Sequence, residues 1–113
     1  MPHIIIEYSA ESHSKSFHET IMTSAFDTVV DSGLFDEANI KIRLIPIEHY
    51  LLAAGKRGFY HIQCRIHRGR TDKQKLNLSK AMVDSLSKLT SHVSVITCEM
   101  VEMDRSSYAK WSA

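Results

Sequence analysis

The residues best suited to chemistry lie at the start of the chain, where Pro2 directly follows Met1 and precedes the apolar run Ile4–Ile6. If Met1 is removed, Pro2 becomes a free secondary amine. A free α-amino group has a pKa of about 8, and neighbouring cations lower that value toward neutral pH. Such an amine is suited to general acid and base catalysis. The alternative interpretation is structural, because proline is tolerated at the first residue of a strand.

A second feature is a set of cations that the predicted sheet brings toward the same rim. Lys41 and Arg43 alternate along a predicted strand, so their side chains share one face. Arg70 precedes a predicted helix, whose first turn attracts anions through unpaired N–H groups and the helix dipole. The alternative is ordinary solvated charge, which is the usual state of surface lysine and arginine. The full set is Lys41, Arg43, Arg65, Arg68 and Arg70.

Length and composition exclude several function classes. A chain of 113 residues predicts one domain, residues 1–113. With 14 Lys+Arg against 13 Asp+Glu, the net charge of +1 provides no global field for nucleic acid or for an anionic membrane. Because neither a secretory leader nor a membrane-spanning apolar run is found, we expect a cytoplasmic protein. Cys64 and Cys98 form no C-x-x-C motif, so neither a zinc site nor a disulfide is expected.

Motifs for other chemistries are incomplete or absent. The seven histidines show neither H-E-x-x-H nor a helical i, i+4 pair, so no metal is expected. The sequence contains no G-x-S-x-G elbow and no glycine-rich phosphate loop. Residues 56–62 begin like an RNA-recognition signature, but His61 and Cys64 stand where stacking aromatic residues are needed. An RNA-recognition-like domain therefore remains only as an alternative.

The elements that must position these groups alternate between strand and helix. Hydrophobic patterns predict strands at 3–8, 40–45, 59–67 and 95–103, and capping-box patterns at 16–19 and 71–74 begin two helices. Gly33 is suited to end the first helix, and Pro46 ends the second strand or marks a sheet edge. Residues 49–54 are compatible with a short helical turn. In the polar tail, 104–113, Tyr108 and Trp111 are candidate packing anchors.

This order predicts an α+β fold made of a duplicated β-α-β unit. Right-handed crossovers give a four-stranded mixed sheet with two helices on one face. The run Ile4–Ile6 and the strand that begins at Ile40 are interpreted as apolar on both sides. The uncovered sheet face is therefore predicted to pack against other subunits in a homo-oligomer.

The chain resembles the 5-carboxymethyl-2-hydroxymuconate isomerases of the tautomerase superfamily over residues 2–103. The likeness rests on Pro2-His3 with Glu7 and Ser9, on Gly33-Leu34-Phe35 followed by Ile40-x-x-Arg43, on Phe59-x-His61, and on Ile66-x-x-Gly69-Arg70. The resemblance implies a tautomerase-like fold that assembles as a homotrimer with its sheets inside. It implies no cofactor.

The resemblance also implies a reaction and a site. The family isomerises an unsaturated 2-hydroxy-dienoate di- or tricarboxylate, such as 5-carboxymethyl-2-hydroxymuconate, to its 2-oxo isomer during the catabolism of aromatic compounds. Carried over to this chain, Pro2 is the catalytic acid and base, and Arg70 binds a carboxylate of the substrate. Another binding arginine of the family aligns with Lys41. Lysine offers a carboxylate a single point charge, whereas arginine offers it two parallel N–H donors. Arg43 matches a family arginine beside it. The alternative is a non-catalytic α+β ligand-binding or assembly module.

Overall fold

The strands and helices follow the predicted order, two β-α-β units in succession. The computed structural model describes residues 1–12, 14–90 and 92–113. These residues form four strands and two α-helices: β1 (His3–Ser9), α1 (His18–Asp31), β2 (Lys41–Ile47), β3 (Phe59–Ile66), α2 (Asp72–Ser87) and β4 (Val95–Glu102). Short 3-10 turns, Lys15–Phe17 and Glu37–Asn39, precede α1 and β2.

The four strands form one mixed sheet in the order β2-β1-β3-β4. β1 is parallel to β2, β3 is parallel to β4, and the two halves meet along the antiparallel pair of β1 and β3. The helices contact each other, and α1 also packs on β2 while α2 packs on β4. The predicted sheet with two helices on one face is confirmed. Its register pairs His3 with both Lys41 and Arg65, so the start of β1 meets the start of β2 and the end of β3.

The core lies between the sheet and the helices and follows the strand and helix periods. Alternate residues of the strands point inward, as do residues four apart on each helix. Complete burial of one such aliphatic side chain contributes about 1.5 to 3 kcal/mol to stability. The core includes Ile4, Ile6, Tyr8, Ile21, Ala25, Val29, Tyr60, Ile62, Cys64, Ile66, Leu78, Met82 and Leu86. The predicted apolar face of the third strand is thereby confirmed.

The two helix starts differ from each other in their capping. Thr71 Oγ1 accepts a hydrogen bond from Gln74 N at 3.1 Å, and Thr71 N donates to Gln74 Oε1 at 2.9 Å, which confirms the second capping box. The first predicted capping box is wrong. α1 begins at His18 with Phe17 as its N-cap, one residue later than an N-cap at Ser16 requires, and Ser16 Oγ lies 2.8 Å from Ser14 Oγ. Gly33 follows α1 with a φ of +69°, the left-handed conformation predicted at its end.

Two further expectations concern Pro46 and the connection after it. β2 is an edge strand and continues through Pro46 to Ile47, so the proline marks the edge and does not end the strand. The suggested helical turn at 49–54 is wrong, since these residues form a bend and a turn. Ala54 and Gly55 have φ values of +59° and +69°, which a right-handed helical turn excludes.

The sheet face without helices is more polar than predicted. Lys41 pairs with His3 and Arg43 pairs with Ile5, so the side chains of both cations lie on the same helix-free face as His3 and Ile5. Nearby, His61 Nδ1 lies 2.7 Å from Thr97 Oγ1 and Nε2 lies 2.7 Å from Glu99 Oε2. The expectation that the first two strands are apolar on both sides therefore holds only in part, because Lys41 and Arg43 alternate with Ile42 and Leu44 in β2. Within the described part of the chain, neither helix has the length and apolar character needed to cross a bilayer.

Candidate active site

A cavity of about 290 Å³ lies beside the amino terminus. Its walls come from Met1, the segment 34–39 before β2, the corner after β3 and the C-terminal tail. The polar lining residues are Asp36, Asn39, His67, Arg70, Tyr108 and Lys110. Larger grooves of about 470 Å³ and 670 Å³ run along α1, but no lysine or arginine lines them. Because Arg70 and Lys110 both line it, the smaller cavity is the better candidate for a site that binds anions.

Arg70 is held in one orientation by the segment that leads into β2. Its Nη2 donates to Leu34 O at 2.9 Å, and Nη1 lies 3.5 Å from His67 O. The guanidinium carbon lies 4.6 Å from the centroid of the Phe35 ring, which adds a cation–π contact. These contacts use two of the five N–H donors of arginine. The remaining donors suit the bidentate binding of a carboxylate.

Three ammonium groups meet at Asn39. The amino group of Met1 donates to Asn39 O at 3.4 Å, and Lys41 Nζ donates to the same oxygen at 2.9 Å. Lys110 Nζ donates to Asn39 Oδ1 at 3.0 Å. Asn39 thus gathers two lysine ammonium groups and the amino terminus, and the two lysine charges attract an anionic ligand.

This crowding changes the acidity of the amino terminus. Partial burial lowers the pKa of the Met1 amino group to about 6, helped by the hydrogen bond and charge of Lys41 and by the charge of Lys110. At neutral pH most of the Met1 amine is therefore neutral.

His3 links Arg43 to the edge of the cavity. Its pKa is lowered by burial, then by the amino terminus and by the cations Arg43, Lys41 and Arg65. In the neutral ring, Nδ1 accepts from Arg43 Nη1 at 3.3 Å, which leaves Nε2–H to donate to Tyr108 Oη at 3.0 Å. Arg43 does not line the cavity and reaches it only through these two side chains.

His67 presents a neutral polar ring to the cavity. Burial lowers its pKa, with further contributions from Arg105, the amino terminus and Arg70. The ring packs edge-on against Tyr108, with centroids 4.8 Å apart. Within the described residues its buried Nδ1 has no hydrogen-bond partner.

The structure unites part of the predicted set and separates the rest. The amino terminus and Arg70 line one cavity, and Lys41 lies beside the amino group. Pro2 is fully buried and its carbonyl accepts from Lys41 N at 3.1 Å. Arg65 and Arg68 do not line the cavity.

Several lining residues were not identified from the sequence. Asn39, His67 and Lys110 belong to no motif, and only Tyr108 had been singled out, as a packing anchor. Its contacts confirm that role, whereas Trp111 is 86% exposed and the corresponding expectation for it is wrong. Among the described residues, no group of three or more His, Cys, Asp or Glu is placed to hold a metal ion, and His13 lies outside them.

Comparisons with known proteins identify a family. The sequence profile of the family described as 5-carboxymethyl-2-hydroxymuconate isomerase matches residues 2–112. No curated protein matches the chain in sequence. Among solved structures, a 5-carboxymethyl-2-hydroxymuconate isomerase from Deinococcus radiodurans R1 is similar over 99% of this chain and 90% of its own, with a TM-score of 0.83 and 17% identity.

Two further solved structures have the same fold. A 5-carboxymethyl-2-hydroxymuconate delta-isomerase is similar over 99% of this chain and 89% of its own, with a TM-score of 0.81 and 20% identity. A symmetric trimer described as fused wild-type 4-OT is similar over 96% of this chain and 93% of its own, with a TM-score of 0.81 and 19% identity. At these identities the similarity concerns the fold alone. Together with the family match, it confirms the resemblance and the tautomerase-like fold predicted from the sequence.

Proposed function

Because the chain belongs to the 5-carboxymethyl-2-hydroxymuconate isomerase family, we propose that it converts an unsaturated 2-hydroxy-dienoate to its 2-oxo isomer. The proposed substrate carries two or three carboxylates, as 5-carboxymethyl-2-hydroxymuconate does. The observation that carries the proposal is the meeting of the amino terminus with Arg70, Lys110 and the neighbouring Lys41 at one cavity. Burial and the two lysines already lower the pKa of the Met1 amino group there. A base beside fixed positive charges is the combination that this reaction requires.

Pro2 is the proposed acid and base once Met1 has been removed. While Met1 is attached, the Pro2 nitrogen is an amide without a basic lone pair. Removal of Met1 turns this nitrogen into a secondary amine and frees the part of the cavity that Met1 lines. The Lys41 ammonium group and the amino terminus share one hydrogen-bond acceptor, so we expect the charge of Lys41 to lower the pKa of the new amine.

The reaction is a transfer of one proton with no net oxidation. The amine takes the proton of the substrate's 2-hydroxyl group, and a C=O bond forms as the conjugated double bonds shift. The same nitrogen then returns the proton to a carbon of the conjugated system, where a C–H bond forms. No cofactor enters this scheme.

The cations hold the substrate and stabilise the charge that develops on it. Arg70 is proposed to bind one carboxylate with the N–H donors that its backbone contacts leave. Lys41 lies beside the amine and is suited to stabilise the dienolate oxygen. Arg43 supports the site through His3.

We also propose that residues 1–113 form one domain of a cytoplasmic homotrimer that binds neither nucleic acid nor membrane. The sheet face without helices presents Ile5 and Ile45, the latter 39% exposed, among charged and polar groups. Such a mixed surface can be covered by a second copy with matched charges. The similar fold of the fused 4-OT trimer supports this assembly.

The amino-terminal mechanism is tested by comparing protein before and after treatment with methionine aminopeptidase, with intact mass establishing the processing state. Ketonisation of 2-hydroxymuconate is followed by ultraviolet absorbance. The processed protein should turn over, the protein with Met1 should not, and processed Pro2→Ala should keep part of the activity as a primary amine. Equal rates with and without Met1 would exclude the amine as catalyst. Binding without turnover in the processed protein would favour the non-catalytic module.

A further inference from the structure

The C-terminal tail forms one wall of the cavity beside the amino terminus. Tyr108 Oη accepts a hydrogen bond from His3 Nε2 at 3.0 Å, and its ring packs edge-on against His67. Two residues further on, Lys110 Nζ donates to Asn39 Oδ1 at 3.0 Å. The tail is thus attached at two points, and the ammonium group of Lys110 lines the cavity.

Positive charge is in excess along this lining. Arg70 and Lys110 are opposed by a single carboxylate, Asp36, among the described lining residues, and Lys41 adds a further positive charge beside the amino terminus. That carboxylate is already used, since Oδ1 of Asp36 accepts from a backbone N–H of the following 3-10 turn. An ammonium group has three donors, and the bond to Asn39 uses one of them. Lys110 can therefore bind an anion in the cavity while it remains near Asn39.

We propose that Lys110 binds a second carboxylate of the substrate and gives the site its preference for di- and tricarboxylates over monocarboxylates. Tyr108 is the positioning residue that keeps the tail, and with it Lys110, against the cavity. This inference rests on the proposed function, because the substrate class is the one assigned there. Arg70 binds the first carboxylate, and Lys110 lies on a separate wall made by the tail.

The charge of Lys110 also acts on the amine. Its positive charge contributes to the lowered pKa of the amino terminus, after burial and the effects of Lys41. Replacement of Lys110 by a neutral residue should therefore raise the pKa of the Met1 amine in the unprocessed protein. A lysine that served only to fasten the tail would alter stability without a selective effect on dicarboxylates.

The test uses processed protein and two substrates that undergo the same enol-to-ketone step. One is the dicarboxylate 2-hydroxymuconate, and the other is the monocarboxylate phenylenolpyruvate. For Lys110→Ala we expect the KM of the dicarboxylate to rise about tenfold, because one charge-assisted contact is lost. The kcat should stay within about twofold of the wild-type value. The KM of the monocarboxylate should change less than about twofold. Lys110→Arg should restore the dicarboxylate KM, and Tyr108→Phe should raise it selectively by a smaller factor.

The matched control is Lys56→Ala, because Lys56 is exposed in the connection between β2 and β3, at the opposite end of the sheet. It should leave both KM values unchanged. An unchanged dicarboxylate KM in Lys110→Ala, or an equal rise for both substrates, would overturn the assignment. Binding of adipate and of hexanoate by calorimetry gives a readout independent of turnover. If the wild type turns over neither substrate, the proposed function fails, and Lys110 is then supported only if its removal weakens adipate binding selectively.

Discussion

Replacement of Arg70 should have two separable effects, one on the fold and one on the ligand. Arg70→Ala removes the hydrogen bond to Leu34 O and the contact with the Phe35 ring. A partly exposed bond from a charged donor and a cation–π contact together contribute about 2 kcal/mol to the free energy of unfolding. Loss of a charge-assisted pair with a substrate carboxylate should cost about 1.5 to 3 kcal/mol of binding, or a KM about 10- to 150-fold higher.

Arg70→Lys separates charge from geometry, because lysine keeps the charge but lacks the planar fork. Its KM for 2-hydroxymuconate should lie between those of the wild type and Arg70→Ala. Arg68→Ala is the matched control, since Arg68 is exposed in the same corner and does not line the cavity. Chemical unfolding gives the stability of each variant, and ultraviolet assays of ketonisation give kcat and KM. If Arg70→Ala loses stability but keeps its KM, Arg70 only supports the fold, and its role in binding is refuted.

Three other predictions concern Lys41, a glycine and the assembly. Lys41→Arg should keep or lower the KM of the dicarboxylate. Lys41→Ala removes a positive charge that disfavours the protonated amine, so the pKa of the amine should rise. The acid limb of the pH profile of kcat/KM should therefore move to higher pH. An unmoved limb would contradict the assigned effect of Lys41. In urea unfolding, Gly58→Ala should lower the free energy of unfolding by about 1 to 2 kcal/mol more than Gly55→Ala does. A Cβ at Gly58 would lie 2.8 Å from Ser12 Oγ, whereas a Cβ at Gly55 would have no described atom within 4 Å. Equal losses would show that this contact relaxes freely. Light scattering should give about three times the chain mass of 12.9 kDa, and a stable monomer at micromolar concentration would disprove the trimer.

Local sequence patterns are sufficient to predict a strand or helix where hydrophobic periodicity and capping residues indicate the same structure. In β3, Tyr60, Ile62, Cys64 and Ile66 alternate with polar residues, and all four are buried. The start of α2 was equally predictable, because its capping box depends on residues three apart. The start of α1 was not, since several neighbouring hydroxyl groups compete there and Ser16 contacts Ser14 instead of a helix N–H.

Strand order explains the placements near the chain start that the sequence anticipates, whereas the long-range contacts of the tail leave no signal in the sequence. Parallel pairing of β1 with β2 places Lys41 beside the chain start, and the corner after β3 brings Arg70 to the same cavity. Lys110 and Asn39 are 71 positions apart, and no periodicity or motif connects them. Contacts of that kind arise only when the tail folds back over the start of the sheet.

The meeting of both ends of the chain at Asn39 has a practical consequence for handling the protein. A purification tag at the amino terminus would block the amine, and a tag close after Trp111 would disturb the segment that carries Lys110. Either fusion can therefore yield well-folded protein with little or no turnover. During synthesis, moreover, the cavity is completed only after residues 108–110 have left the ribosome, so a chain truncated before Tyr108 would keep all four strands and both helices yet lack this wall. A tag in the exposed connection near Lys56, at the other end of the sheet, would leave both ends free.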